Sequence, residues 1–175
     1  IRVYKRSFPS YSLPDANGQV AVVGWEQIGD AIVGEAHSIT IAGGAGGVGL
    51  DGTIVAFGSI SNFAKVYQWN GDDWMQMANI TNPTGRFLGT SISLNYNGTV
   101  LAIGDKEGPG SSWAGETLLF RWNGTDTWEE LHRFYGENSN DNSGKSVALN
   151  GNGNILICGA PYNNGVSSYG GHVRI

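Results

Sequence analysis

Charge is scarce in this chain. Asp, Glu, Lys and Arg make up only 14% of its 175 residues, and the net charge is −5. The ten basic residues are scattered, with no run that could track a phosphate backbone, which argues against nucleic acid as the main partner. A single cysteine, Cys158, leaves no intrachain disulfide to form; it sits in an apolar run and reads as a buried thiol rather than a nucleophile. No run of 18 apolar residues occurs, so no segment reads as a spanning helix. There is no secretory leader and no initiating Met, and the chain reads as an internal piece of something longer. Helical periodicity is nearly missing too. Glycine is abundant at 28 residues, and Trp, Tyr and Phe reach 11%. Little charge with much Gly, Asn and aromatic is the composition of short strands and tight turns, not of a disordered chain.

Self-comparison organises these strands. "AKVYQWNGDDWMQM" (Ala64 to Met77) matches "TLLFRWNGTDTWEEL" (Thr117 to Leu131), with Trp69 and Trp122 standing 53 residues apart. Val173 follows Leu119 by 54, so "HVRI" begins another copy, and the opening "IRVY" is the same element one copy earlier. "TSISLNYNGTVLAIG" (Thr90 to Gly104) matches "KSVALNGNGNILICG" (Lys145 to Gly159), with a cruder version in "GVGLDGTIVAFG" (Gly47 to Gly58). Trp25, Trp74 and Trp128 lead a further shared strand, which makes Trp128 to Tyr135 a strand despite its partial helical spacing. The dipeptides Asp51-Gly52, Asn97-Gly98 and Asn152-Gly153 suit hairpin turns in which both central residues take positive φ.

Each copy thus holds four strands: a small-residue strand (Ser91 to Leu94, Ser146 to Leu149), an apolar strand (Val100 to Ile103, Ile155 to Cys158), an "RVY"-type strand and a Trp-led strand. Four-stranded antiparallel units repeating every 53–54 residues read as blades of an all-β propeller. A β-sandwich spaces strands as evenly but leaves the repetition of their sequence unexplained. The copies fall at about 1–63, 64–116 and 117–171, with residues 172–175 starting another. The first is lengthened by "SFPSYSLPDANGQ" and "GGAGG". Three copies do not close a propeller of four to eight blades, so the expectation is a partial propeller completed by further chain or by neighbouring protomers.

"GKSVALNGNGNILICGAPYNNGVSSYGGHVRI" resembles the FG-GAP type of propeller repeat known from integrin alpha subunits, through G-x-S-V-A, an apolar strand ending Gly159-Ala160-Pro161, and a later G-x-V. Together with "WEQIGDAIVGEA" (Trp25 to Ala36), it is similar to repeats of large secreted or surface proteins of marine algae and bacteria. The resemblance implies that the small-residue strand lies innermost and the Trp-led strand outermost. It also sorts the loops, with "NYNG", "NGNG", "WNGDDW" and "WNGTDTW" on one face. "DKEGPGSSWAG", "PYNNGVSSYGG" and "GENSNDNSG" then lie on the other.

Candidate chemistry is thin. Integrin-type calcium loops are Asp-rich, whereas the matching turns carry Asn with Asp51 alone, and "ENSNDNSG" lacks the sixth-position Gly and closing Glu of an EF-hand loop; hairpin turns are the reading, and no cofactor is expected. Gly44 to Gly49 fits G-x-G-x-x-G, but a turn and a strand follow where a nucleotide site needs a helix. His37, His132 and His172 lie in different copies without partners at metal spacing, and no nucleophile elbow occurs. Asn79, Asn97 and Asn123 head N-x-T sequons, the last two in expected exposed turns. Trp113 stands outside the repeated pattern, in a long loop, and Tyr162 and Tyr169 stand in the equivalent loop of the next copy; these three are the candidate contacts for a partner or sugar. The expected role is a non-enzymatic extracellular propeller, acting in adhesion or as a building block of a surface assembly or filament. It would take protein partners, or copies of itself, and glycans. A carbohydrate-binding propeller is one alternative. A glycoside hydrolase is another, although no sequence feature selects two carboxylates for it.

Overall fold

The computed structural model describes residues 1–6, 24–34, 36, 38–42, 54–109, 112–165 and 170–175. These residues form strands and turns with no helix among them. Four sheets follow in chain order. The first pairs β1 (Tyr4–Arg6) with β2 (Trp25–Gln27). The second is β3 (Ser38–Ala42), β4 (Ile54–Ser59), β5 (Phe63–Trp69) and β6 (Trp74–Thr81); the third is β7 (Leu88–Leu94), β8 (Val100–Asp105), β9 (Glu116–Trp122) and β10 (Trp128–Tyr135). Both are antiparallel meanders in sequence order. The fourth holds β11 (Ser146–Leu149), β12 (Leu156–Ala160) and β13 (His172–Arg174). The small-residue strand opens the second, third and fourth sheets at one edge, and the Trp-led strand closes the second and third at the other.

The apolar second strands are covered on both faces. In β4, Ile54 to Phe57 are all buried, and in β8 Leu101, Ala102 and Ile103 are fully buried. Alternate residues of each sheet serve different neighbours. Val55, Phe57 and Trp74 of the second sheet pack with Ile1, Val3, Ile28 and Ile32, which flank the strands of the first. On the opposite face, Ile54, Ala56, Ala64 and Val66 meet Leu101, Ile103, Leu118, Phe120 and Trp128 of the third. Corresponding side chains therefore look the same way in each copy. β7 packs against β3 and β4, and β11 against β7 and β8. The sheets meet through their first two strands.

Two details repeat with the strands. An extra residue bulges from the Trp-led strand at the same place in both full sheets, Met77 in β6 and Leu131 in β10, three residues after the leading Trp. Trp69 and Trp74 tilt at 51° with centroids 5.4 Å apart, and Trp122 and Trp128 at 49° and 5.8 Å.

The turns differ from expectation. Positive φ is found at Gly98 and Gly153 but not at Asn97 or Asn152. Each is a four-residue loop closed by the preceding Asn. Asn95 Oδ1 accepts from the Thr99 and Val100 amides at 2.8 Å each, and Asn150 Oδ1 from those of Asn154 and Ile155 at 3.0 Å each. A side-chain acceptor satisfies the loop amides, so only Gly need be left-handed. Asp51-Gly52 and the Gly44 to Gly49 run lie outside the described residues.

Candidate functional site

The sheets present two kinds of end. At one, the β7–β8 turn touches the start of the β9–β10 loop through Trp122 N–H to Thr99 O at 2.9 Å, and the next sheet's turn through Tyr96 N–H to Gly151 O at 2.9 Å. At the other, three long loops are knitted together. The loop after β8 runs beside the β10–β11 connection, with Asn140, Asn142 and Ser143 amides donating to Ser112, Trp113 and Ala114 carbonyls at 2.8–2.9 Å. A parallel bridge joins Gly115 to Ser143, and Tyr162 N–H, from the loop after β12, reaches Asp141 O at 3.3 Å.

This second end carries a groove of about 430 Å³ lined by Trp113, Ser139, Asn140, Asn142, Tyr162 and Asn164. Two of the three aromatic contacts expected from sequence, Trp113 and Tyr162, thus come to one site from two loops; Tyr169 lies outside the described residues. Trp113 is 38% exposed and packs on Phe87 at 5.6 Å. Lys106 Nζ lies 4.7 Å from the Phe87 ring centre and 5.8 Å from that of Trp113; Lys145 Nζ lies 4.9 Å from that of Tyr162. Four non-glycine residues among those described have positive φ, and three of them are Trp113, Asn140 and Asn142. Such backbone strain gathers at binding sites where the surroundings over-determine it.

A buried polar layer holds these loops in place. Asp105, fully buried at the end of β8, accepts four backbone amides, from Arg86, Phe87, Glu107 and Gly108, at 3.0–3.2 Å. Those bonds fix Phe87 under Trp113. Asn142 Nδ2 donates to Lys106 O and Trp113 O at 3.2 and 3.0 Å, pinning the strained turn from beneath. Asp141 Oδ2 takes the Asn138 amide and Asn163 Nδ2, each at 2.8 Å. Buried Glu107 faces the exposed Arg86 at 3.4 Å. Sequence reading missed the amides of the lining and this layer. The available signal was a charged residue, Asp105, closing an apolar strand whose counterparts end in Ser59 and Ala160.

Glu116 is fully buried and lies opposite Asp105 in register. Burial pushes its pKa above the ordinary 4.5, against the opposing pull of Asn82, which donates at 2.6 Å, and Arg133 at 3.5 Å. A carboxyl with a raised folded pKa binds its proton more tightly in the folded state. Its contribution is full below about pH 4.5 and is lost as pH rises through the raised value. Glu137, lowered by Arg174 and Asn163, works in the opposite sense, so a difference measurement is needed. In urea unfolding, wild type should lose stability relative to Glu116→Gln as pH climbs from about 4.5. A difference that does not change with pH would remove Glu116 as its source.

The remaining candidates are spread out. Asn97 and Asn123 are exposed at the turn end, each with its side-chain oxygen accepting the hydroxyl of its own sequon Thr, at 2.6 and 3.0 Å. Asn79 is exposed on β6, the outer edge of the second sheet. His132 packs edge-on against Phe134, His172 lies 3.8 Å from Glu137, and His37 is outside the described residues. Cys158 is buried and its thiol pKa is pushed up by that burial, which makes a poor nucleophile. Among the described residues no cluster of three His, Cys, Asp or Glu could hold a metal ion, and no helix is long and apolar enough to cross a membrane. No protein-family model matches the chain, and no curated protein matches it.

Proposed function

We propose that this chain is a segment of a non-enzymatic extracellular β-propeller with FG-GAP-like repeats, acting in adhesion or as a building block of a surface assembly. The observation that carries the reading is the repetition of the sheet-to-sheet contact. Gly58 of β4 meets Gly89 at the start of β7, and Gly104 of β8 meets Gly144 just before β11, backbone against backbone. Ser91 Oγ donates to Gly144 O at 2.8 Å, and Ser93 Oγ accepts the Leu149 amide at 3.0 Å. Such contacts draw the first strands together, while no contact of that extent joins β6 or β10 to another sheet among the described residues. Sheets whose backbones touch at one edge and not at the other support the reading of blades.

Each end of the array offers a face that corresponds to a buried one inside it. Ile157 and Val173 are exposed on the fourth sheet where their counterparts Ala102 and Leu119 are buried and half-buried; Tyr4 and Trp25 are exposed on the first where Tyr67 is half-buried and Trp74 buried. These faces suit further repeats or copies of the chain. The groove end is the contact face of this reading. The hydrolase alternative draws no support there, since the groove lining carries no carboxylate.

The test is the native mass of the protein made through a eukaryotic secretory route, before and after enzymatic removal of N-glycans. A particle heavier than the 18.6 kDa polypeptide, losing mass at Asn97 and Asn123 on deglycosylation, is the expected result. A stable, unglycosylated monomer of 18.6 kDa overturns it.

A further inference from the structure

We infer that the groove between Trp113 and Tyr162 binds an acidic saccharide, a sugar ring carrying a carboxylate or sulfate. The inference rests on reading this end as the contact face. Its volume, about 430 Å³, falls within the roughly 300–1,000 Å³ of small-molecule sites. Two aromatic rings border it, and the C–H face of a pyranose packs on such rings. Of the other lining residues, Ser139, Asn140 and Asn164 are uncharged and polar, which suits hydroxyl groups rather than an apolar ligand, while the Asn142 amide is held by the loops beneath.

Charge selects the acid. Lys106 lies against the Phe87 and Trp113 rings, and Lys145 lies against the Tyr162 ring with Nζ 3.4 Å from its hydroxyl. A cation therefore stands beside each bordering aromatic. The neighbouring acids are engaged elsewhere: Asp105 by four amides, Asp141 by Asn138 and Asn163, Glu107 by Arg86. Two cations thus flank the groove in a chain whose net charge is −5. The left-handed backbone of Trp113, Asn140 and Asn142 presets the lining before a ligand arrives.

The experiment is calorimetric titration of the whole chain with three oligosaccharides of equal length: an oligogalacturonate, a sulfated galactan and a neutral galactan. Either acidic ligand, or both, should bind more tightly than the neutral one, more weakly as salt is raised. The tighter of the two tells carboxylate from sulfate. Tyr162→Ala should weaken the acidic ligand by about tenfold or more. Lys145→Gln, an exposed change that leaves the fold alone, should weaken the acidic ligand and not the neutral one. Equal affinity for the neutral ligand, acidic binding that survives Tyr162→Ala, or no binding by a chain with an intact thermal transition each overturns the inference. A glycosylated assembly that binds no acidic sugar would sink this inference alone, and an acidic sugar bound by a lone unglycosylated chain would sink only the assembly reading.

Discussion

Trp128→Ala is expected to lower folding stability by about 3–5 kcal/mol, while Trp25→Ala changes it by no more than about 0.5 kcal/mol. The two residues hold the same place in the repeat. Trp128 is 8% exposed in the core shared by the second and third sheets, with Trp122 tilted against it. Truncation there empties a large volume between two sheets that cannot collapse, because their first strands already touch. Trp25 is 71% exposed, with no sheet beyond it among the described residues. Trp128→Phe should cost less than Trp128→Ala, since it keeps most of the ring and removes an indole N–H buried without an acceptor. Urea midpoints of the three variants at fixed pH are the measurement. Equal losses for Trp25→Ala and Trp128→Ala would show that the repeat position, not the sheet packed over it, sets the energy.

The second large effect concerns a hydrogen atom. Gly104→Ala should destabilise by about 3 kcal/mol and Gly159→Ala by under about 1 kcal/mol. Both are the same position of the repeat, and at both an added Cβ meets a serine hydroxyl of its own sheet, Ser91 or Ser146, that can rotate away. Only at Gly104 does it also run into the Gly144 carbonyl of the neighbouring sheet, which cannot yield without moving β11. Gly144 in turn has φ of 81°, so the close approach is glycine on both sides. Thermal unfolding of the pair reads the difference. Matching losses would mean the inter-sheet contact is loose enough to absorb a methyl group.

Strand order was legible because whole side-chain sequences recur: "WNGDDW" with "WNGTDTW" and "SISLNYNG" with "SVALNGNG". The bulges at Met77 and Leu131 were not. An extra apolar residue in a half-buried strand looks like one more step of the alternation, and only the paired register reveals it. The two Asn-Gly turns were placed correctly and typed wrongly, because the deciding groups, the side chains of Asn95 and Asn150, precede the pair that drew attention. At the groove, Trp113 and Tyr162 stood out as aromatics in long loops. Asn140 and Asn142 did not, since a run such as "ENSNDNSG" says only that turns are cheap there. Which turn faces which aromatic depends on hydrogen bonds between loops far apart in the chain.

The two unlike faces of each sheet set an accounting that does not depend on length. One face is led by small and aliphatic residues such as Ile54, Ala56 and Val66, the other by larger ones such as Phe57, Tyr67 and Trp74. Docking another sheet of this kind covers one face and uncovers its twin, so a row of any length keeps the same two bare surfaces. The interface energy per sheet grows with the row while the cost of its ends stays fixed. Nor does a two-fold pairing of ends answer it, because that sets like against like. In the propeller proposed above, serine and glycine at the close edge and tryptophan at the far one would make each sheet a wedge and bend the row, and a bent row whose last face reached its first would lose both bare surfaces in a single step.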